Sequence, residues 1–241
     1  DPPADGIKYK FSNGVTIRGM RVEWSCGPCS DNGAYGIYPV QTENVLIEDS
    51  VVIGASDAGI YVGQSDKIIV RRNLASLNVA GIEIENSTNS EVYENEAVDN
   101  TGGILVFDLP NLSREGTRTK VYNNVMRDNN TSNFAPPGSI VGVVPTGTGM
   151  LIMAFTDVEV FNNVIENNQS SAIAIVHYDI SGRPTDDVNY DGTPRRVYIH
   201  DNQISNNAYE PVDLAAQLGP LFAAAGGLPE IFYDGIGEQA G

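Results

Sequence analysis

Short apolar runs broken by asparagine recur along the chain, and they fall into one frame. Val45-Leu46-Ile47-Glu48-Asp49-Ser50 sets it, and Ile68–Asn73, Ser90–Asn95, Thr119–Asn124, Val158–Asn163 and Val197–Asn202 repeat it. The last positions of these segments are spaced by 23, 22, 29, 39 and 39 residues, so a short unit recurs with insertions in its later copies. Periods of this length mark a solenoid. Each unit reads as a β-branched run, a corner at Asn or Ser, a second short apolar run, and Gly or other small residues before a third. That order predicts three strands and three bends per coil. An α-solenoid would need apolar residues at helical spacing over about ten positions, and these runs are too short and too rich in asparagine.

A second column aligns without gaps: Gly36–Gln41, Gly59–Gln64, Gly81–Asn86 and Gly103–Asp108, continued by Ala172–His177. Strand alternation turns Ile37, Ile60, Ile82 and Ile104 inward, and with them Pro39, Val62, Ile84 and Val106. Tyr38, Tyr61, Glu83 and Leu105, then Val40, Gly63, Glu85 and Phe107, face outward. The expected fold class is all-β, a right-handed single-stranded parallel β-helix of about seven coils. Asn73, Asn95, Asn124, Asn163 and Asn202 are expected to stack as a structural ladder, because Asn tolerates left-handed backbone and bonds to turn amides. The chain reads as one domain, with repeats over about 13–211 and a C-terminal cap over about 212–241. In that cap the Ala/Leu-rich stretch Val212–Ala225, interrupted at Gly219-Pro220, would shield the open end of the core.

Charge narrows the partners. Acidic residues outnumber basic ones 31 to 14 in 241 residues, a formal net charge of -17, which repels phosphate backbones and argues against nucleic acid. It also opposes polyanionic sugars unless a divalent cation or local basic residues intervene. No apolar run approaches the roughly 18 residues of a membrane span. The chain starts at Asp1 without a signal-like segment, so a processed secreted or periplasmic protein or a piece of a longer one is expected, with cytosolic residence still open.

The segments GAYGIYPVQ, ASDAGIYVGQS, VAGIEIENS and TGGILVFDLP, within a repeat running from Asn13 to about Asn207, resemble the parallel β-helix proteins of the pectate-lyase-like superfamily. The repeat style is similar to the mannuronan C5-epimerases and to the periplasmic β-helix protein associated with nitrous oxide reductase copper maturation. This resemblance implies a sugar-related ancestry. The epimerases carry an Asp-Pro-His catalytic motif after a Tyr-Gly-Ile-like run, where this chain has Tyr38, Pro39 and Val40. The acid and the imidazole are both missing, so their chemistry does not transfer to that position.

The outward column supplies the candidate site. Tyrosine faces cover apolar sugar surfaces and carboxylates accept hydroxyl hydrogen bonds, so Tyr38, Tyr61, Gln64, Phe107 and Asp108 are expected to hold a polysaccharide or oligosaccharide. Acid and base work would fall to Glu83, Glu85 and Asp57, with His177, directly after the column, as the better placed of the two histidines. An incidental solvated face is the alternative. As exposed residues, the column's members should be replaceable at within roughly 0.5 kcal/mol each. The loops 109–118, 129–149 and 180–195 would wall a cleft over this face.

Two further motifs stand apart. Cys26-Gly27-Pro28-Cys29 reads first as a loop disulfide of an exported protein, then as a reduced pair, and last as a redox centre, since Asp31-Asn32-Gly33 ends any helix that could activate Cys26. Asp187, Asn189 and Asp191, followed by Gly192, match the opening of a calcium loop, but Tyr198 stands where a bidentate Glu belongs. Calcium held with an outside ligand such as Asp186 and a self-bonded Asx turn both remain open. Two functions follow: carbohydrate binding or processing on a β-helix scaffold, or a non-catalytic exported scaffold, structural or associated with metal maturation. The oligomeric state is not legible.

Overall fold

The computed structural model describes residues 3–236. Among them the strands form three parallel sheets of eight, seven and seven members, with successive coils as hydrogen-bonded neighbours. The first sheet comprises Ile7–Lys10, Tyr35–Val40, Ala58–Gly63, Ala80–Glu85, Gly102–Phe107, Thr148–Met153, Ser171–Val176 and Ile231–Tyr233. The second sheet contains the frame described above, for example Asp66–Arg71, Thr88–Tyr93 and Thr117–Tyr122. The third is made of three-residue strands such as Leu74–Ser76 and Glu96–Val98. Seven coils of three strands are complete, and Ile231–Tyr233 adds an eighth strand to the first sheet alone. The chain is a parallel β-helix, as its repeat implies.

Register carries the inward columns. Ile60, Ile82 and Ile104 are aligned, as are Val62, Ile84 and Val106, and all six are fully buried with Val70, Val92 and Val121 from the second sheet. Close stacking explains the glycine before each inward isoleucine: a Cβ on Gly81 would lie 2.6 Å from the carbonyl oxygen of Gly103 on the next coil.

The corners are held by side chains. Asn73 takes Asn95 Oδ1 with both its backbone N–H (3.0 Å) and its side-chain Nδ2 (2.9 Å), and Asn95, Asn124, Asn163 and Asn202 continue the chain. The expected ladder is present, with one change in its cause. The left-handed residue is the one before each rung, Arg72, Glu94, Asn123, Asn162 or Asp201, while the rung contributes its amide. A second ladder, Asn78, Asn100, Asn129, Asn168 and Asn207, holds the next corner.

The three long loops leave the stack between the first and second sheets or before the first, and all fold across the outer face of the first sheet. They are tied to the scaffold and to one another. Asn86 Nδ2 donates to the carbonyls of Leu109 and Arg114, Arg183 to those of Gly138 and Ser139, and Asn111 to Asp186 and Asp187. Beneath them lies a second apolar cluster, in which Leu105, Phe107, Leu151, Met153 and Val176 of the sheet meet Val141 and Val144 of the middle loop. The helix Asp213–Leu218 and the 3-10 turn Gly219–Ala225 lie in the segment expected as an end cap; Ala215, Leu218 and Phe222 join this lateral cluster. Val197, Ile199 and Ile204 of the last coil stay half-buried.

Candidate functional site

The outward column does face away from the solenoid core, but the expectation of an exposed platform is wrong. The loops bury it: Tyr61, Glu83, Glu85, Asp57, Phe107 and Asp108 are each at most 7% exposed. Tyr38 and Gln64 remain half-buried at the rim. The expectation that these positions can be replaced at little cost falls with it, since removing a buried side chain such as Tyr61 leaves a cavity.

Local backbone explains the central pair. Gly63 has no side chain, and a Cβ there would lie 2.2 Å from the Tyr61 hydroxyl, so the Tyr61 ring lies over Gly63. From there its hydroxyl donates to Glu85 Oε1 at 2.6 Å, and Gln64 Nε2 donates to the same oxygen at 3.0 Å. Register sets Glu83 between Tyr61 and Leu105 on neighbouring strands. Tyr35, Tyr38 and Tyr61 form one ring cluster, with centroids 4.3, 4.7 and 4.8 Å apart. Asp57 Oδ2 accepts from the Ser139 hydroxyl of the middle loop at 2.6 Å. Asp108 Oδ1 accepts the Gly116 amide at 2.7 Å, while its carbonyl takes the Tyr190 hydroxyl at 2.7 Å. Glu83 Oε2 and Asp57 Oδ1 are buried without a hydrogen-bond partner.

These acids hold their protons far above the ordinary carboxylate range. Burial pushes Asp57 up to about 6 and Asp108 up to about 7. It pushes Glu85 up to about 7 against the opposing hydrogen bond from Tyr61. Glu83 is raised well above the usual carboxylate range by burial, with the Asp57 and Glu85 charges adding to it. Groups that can give or take a proton near neutrality thus lie beside hydroxyl and aromatic side chains.

The other candidates lie elsewhere. His177 caps the 3-10 turn Tyr178–Ser181, its Nδ1 accepting the Asp179 amide at 3.1 Å, and no hydrogen bond among the described residues joins it to the acids. Phe107 belongs to the apolar cluster and offers no open ring face. Cys26 and Cys29 form a disulfide, the first of the readings for that pair. The acids of the expected calcium loop have other partners in the structure. Asp187 accepts the amides of Asn111 and Asn189, Asp191 is taken by Arg195, and among the described residues no three His, Cys, Asp or Glu side chains converge as metal ligands. The segment is a self-bonded Asx turn tied to the first loop. Millimolar calcium should leave the melting temperature where a chelator leaves it, and Asp191→Ala should cost under about 1 kcal/mol, the worth of an exposed ion pair. A calcium-dependent rise that Asp191→Ala abolishes would restore the metal reading.

Tyr35, Ser139 and Tyr190 were missed from the sequence. Strict alternation from Ile37 turns Tyr35 inward, but the strand starts with two successive inward positions. A Cβ on Gly36 would meet the core side chain of Val52, which leaves Tyr35 outside. Ser139 and Tyr190 arrive on insertions whose direction no local pattern encodes.

A family model described as a right-handed β-helix region matches residues 5–185. No curated protein matches the chain. Among solved structures, the A-modules of the Azotobacter vinelandii mannuronan C-5 epimerases AlgE4 and AlgE6 superpose with TM-scores of 0.60 and 0.61 at 20% identity. Each match covers 92% of this chain and 46% or 45% of the neighbour. A mutant of the periplasmic alginate epimerase AlgG gives 0.62 at 16% identity, over 83% of this chain and 48% of that one. The chain spans about half the length of these structures, and at such identity the likeness is one of fold.

Proposed function

The chain belongs to the right-handed β-helix family, and from that premise we propose that it binds or processes a polysaccharide through the tyrosine and carboxylate face of its first sheet. The observation that carries this reading is the 2.6 Å Tyr61–Glu85 hydrogen bond, shared by Gln64, behind the half-buried rim of Tyr38. A carboxyl group raised to about 7 can act as acid or base at neutral pH, and a phenol bonded to it can relay or fix the proton. The ring cluster offers apolar area for a sugar, and three tied loops offer walls. The structural neighbours' names speak of epimerisation of mannuronan or alginate. That analogy supports a carbohydrate ligand, but the Asp-Pro-His motif is replaced here, so any reaction would rest on this chain's own acids. A periplasmic or secreted location fits the disulfide.

A glycan array followed by a product assay tests the reading. Glu85→Gln and Tyr61→Phe keep the shape of the site, so each should weaken glycan binding or turnover by about tenfold or more in protein that a melting curve shows to be folded. If the wild type captures no glycan, or if both variants match it, the face is structural and the non-catalytic scaffold is the better account.

A further inference from the structure

Four carboxylates, Asp57, Glu83, Glu85 and Asp108, share the covered face, and among the described residues none of them makes an ion pair with Lys, Arg or His. The charges that act on them are those of other acids: Asp5, Asp57, Glu85 and Glu115. This is not a general shortage of cations. Glu48, also 1% exposed but covered by its own cations, receives Arg18, Arg71 and Arg72 on the second sheet. These four acids have no cation paired with them, while a buried acid nearby in the stack took three guanidinium groups.

Two independent features indicate what such a face attracts. Glu83 Oε2 and Asp57 Oδ1 are buried acceptors with no donor, and a buried acceptor of that kind is costly unless a donor reaches it. Beside them the rings of Tyr35, Tyr38 and Tyr61 meet, and the Lys8 ammonium already stands 4.3 Å from the centroid of Tyr38. Electron-rich ring faces and uncompensated acids both favour an ammonium and both disfavour a carboxylate. The four acids do not converge as ligands of a single metal ion. Their spread along neighbouring strands suits a ligand that carries amines on an extended frame of hydroxylated rings.

Resting on the reading of this face as a sugar site, we propose that its ligand is a cationic glycan, an oligosaccharide of hexosamines with free amino groups, rather than the uronate polymers named for the structural neighbours. The amines hydrogen-bond to Glu83 and Asp57, where an ammonium replaces the Ser139 hydroxyl as donor to Asp57. The sugar rings lie toward Tyr38 and Gln64 at the rim. Acids held neutral by burial ionise when an ammonium arrives, so binding releases protons.

Calorimetry at pH 6 and about 0.1 M salt, with glucosamine oligomers, N-acetylglucosamine oligomers and oligomannuronate of equal length, tests this. The free-amine oligomer should bind at least about tenfold tighter than the acetylated one, and oligomannuronate should not bind. The measured heat should change with the buffer's ionisation enthalpy in the sense of proton release. Glu83→Gln and Asp57→Asn should each remove about tenfold of the preference for the amine; both keep side-chain volume, and a melting curve confirms that they are folded. Equal or tighter binding of the acetylated or uronate oligomer overturns the cationic ligand while leaving the sugar site intact. If no oligomer binds to folded wild type, the sugar reading itself fails. Oligolysine binding as tightly as the amino sugar would show that charge alone is read, which also overturns the proposal.

Discussion

Melting curves recorded at pH 5, 6, 7 and 8 should show the protein losing stability with each step upward. Burial raises the folded pKa values of Asp57 to about 6 and of Glu85 and Asp108 to about 7, and it raises Glu83 as well, all above their unfolded values near 4. Between those limits the folded state binds more protons than the unfolded one. Stability therefore falls as pH rises, by on the order of 1.4 kcal/mol per pH unit for each group in its window. The decline sums to on the order of 10 kcal/mol between pH 5 and 8, or about 20 °C or more for a chain of this size. Glu48 does not interfere. The hydrogen bond from Arg71, with those from Arg18 and Arg72, holds it at about 2, so its contribution is full above pH 4.5 and fades only in stronger acid. His200 is raised chiefly by its hydrogen bond to Asp201, and its stabilisation is also lost as pH rises, in the same direction as the acids. A Glu83→Gln, Glu85→Gln double variant separates the two sources, because it should flatten most of the slope while His200 is untouched. A profile flat from pH 5 to 8 in the wild type would mean that the loops do not keep water from these acids in solution.

That slope depends on the part of the structure least visible in the sequence. The strand frame was legible because a parallel solenoid repeats the same side-chain demand at each coil: Ile60, Ile82 and Ile104 occupy one column, and Asn73, Asn95 and Asn124 one corner. The second asparagine ladder was equally legible and went unread, although Asn78, Asn100, Asn129, Asn168 and Asn207 each follow a first-ladder rung by five residues. Alternation told correctly that Tyr61, Glu83 and Glu85 point away from the core. It says nothing about what lies on the far side of a sheet. Insertion lengths showed that three loops exist, but their landing place is set by long-range bonds such as Ser139–Asp57 and Tyr190–Asp108, which no local pattern carries. The acidic turn admits two readings for a related reason. Alternating oxygens suit calcium and Asx turns alike, and Arg195, four residues after Asp191, is the local sign of the second use, since it pairs with that acid.

Asn124→Ala should be among the most destabilising single substitutions in the protein, costing about 3–5 kcal/mol although it removes a polar side chain. Asn124 is buried in the middle of the first ladder. Its Nδ2 donates to the Val92 carbonyl at 2.9 Å and to Asn163 Oδ1 at 3.0 Å, while its Oδ1 accepts the Asn95 backbone N–H and side-chain Nδ2, both at 3.0 Å. Alanine leaves the Val92 carbonyl, the Asn95 amide and the Asn95 side chain without these partners in a place water does not reach, and each such group costs about 1–3 kcal/mol. Leucine of similar bulk would not restore them, which distinguishes lost hydrogen bonding from lost volume. The end of the ladder supplies the control. Asn202 is half-buried and Asn163 donates to it, so in Asn202→Ala the freed groups lie nearer solvent and the cost should fall to about half that of Asn124→Ala or less. Asn206→Ala, whose exposed side chain donates to Asn167 Oδ1, should stay within roughly 0.5 kcal/mol. Urea unfolding of the three variants reads these differences directly. Because each coil is stabilised by its neighbours, a broken middle rung also weakens the coupling between the two halves of the stack. Hydrogen exchange should then speed up in Val92 and Val160, on the coils either side of the lost rung, before it does in Ile47. Equal costs for Asn124→Ala and Asn202→Ala would show instead that the rungs act independently and that burial along the ladder does not set their worth.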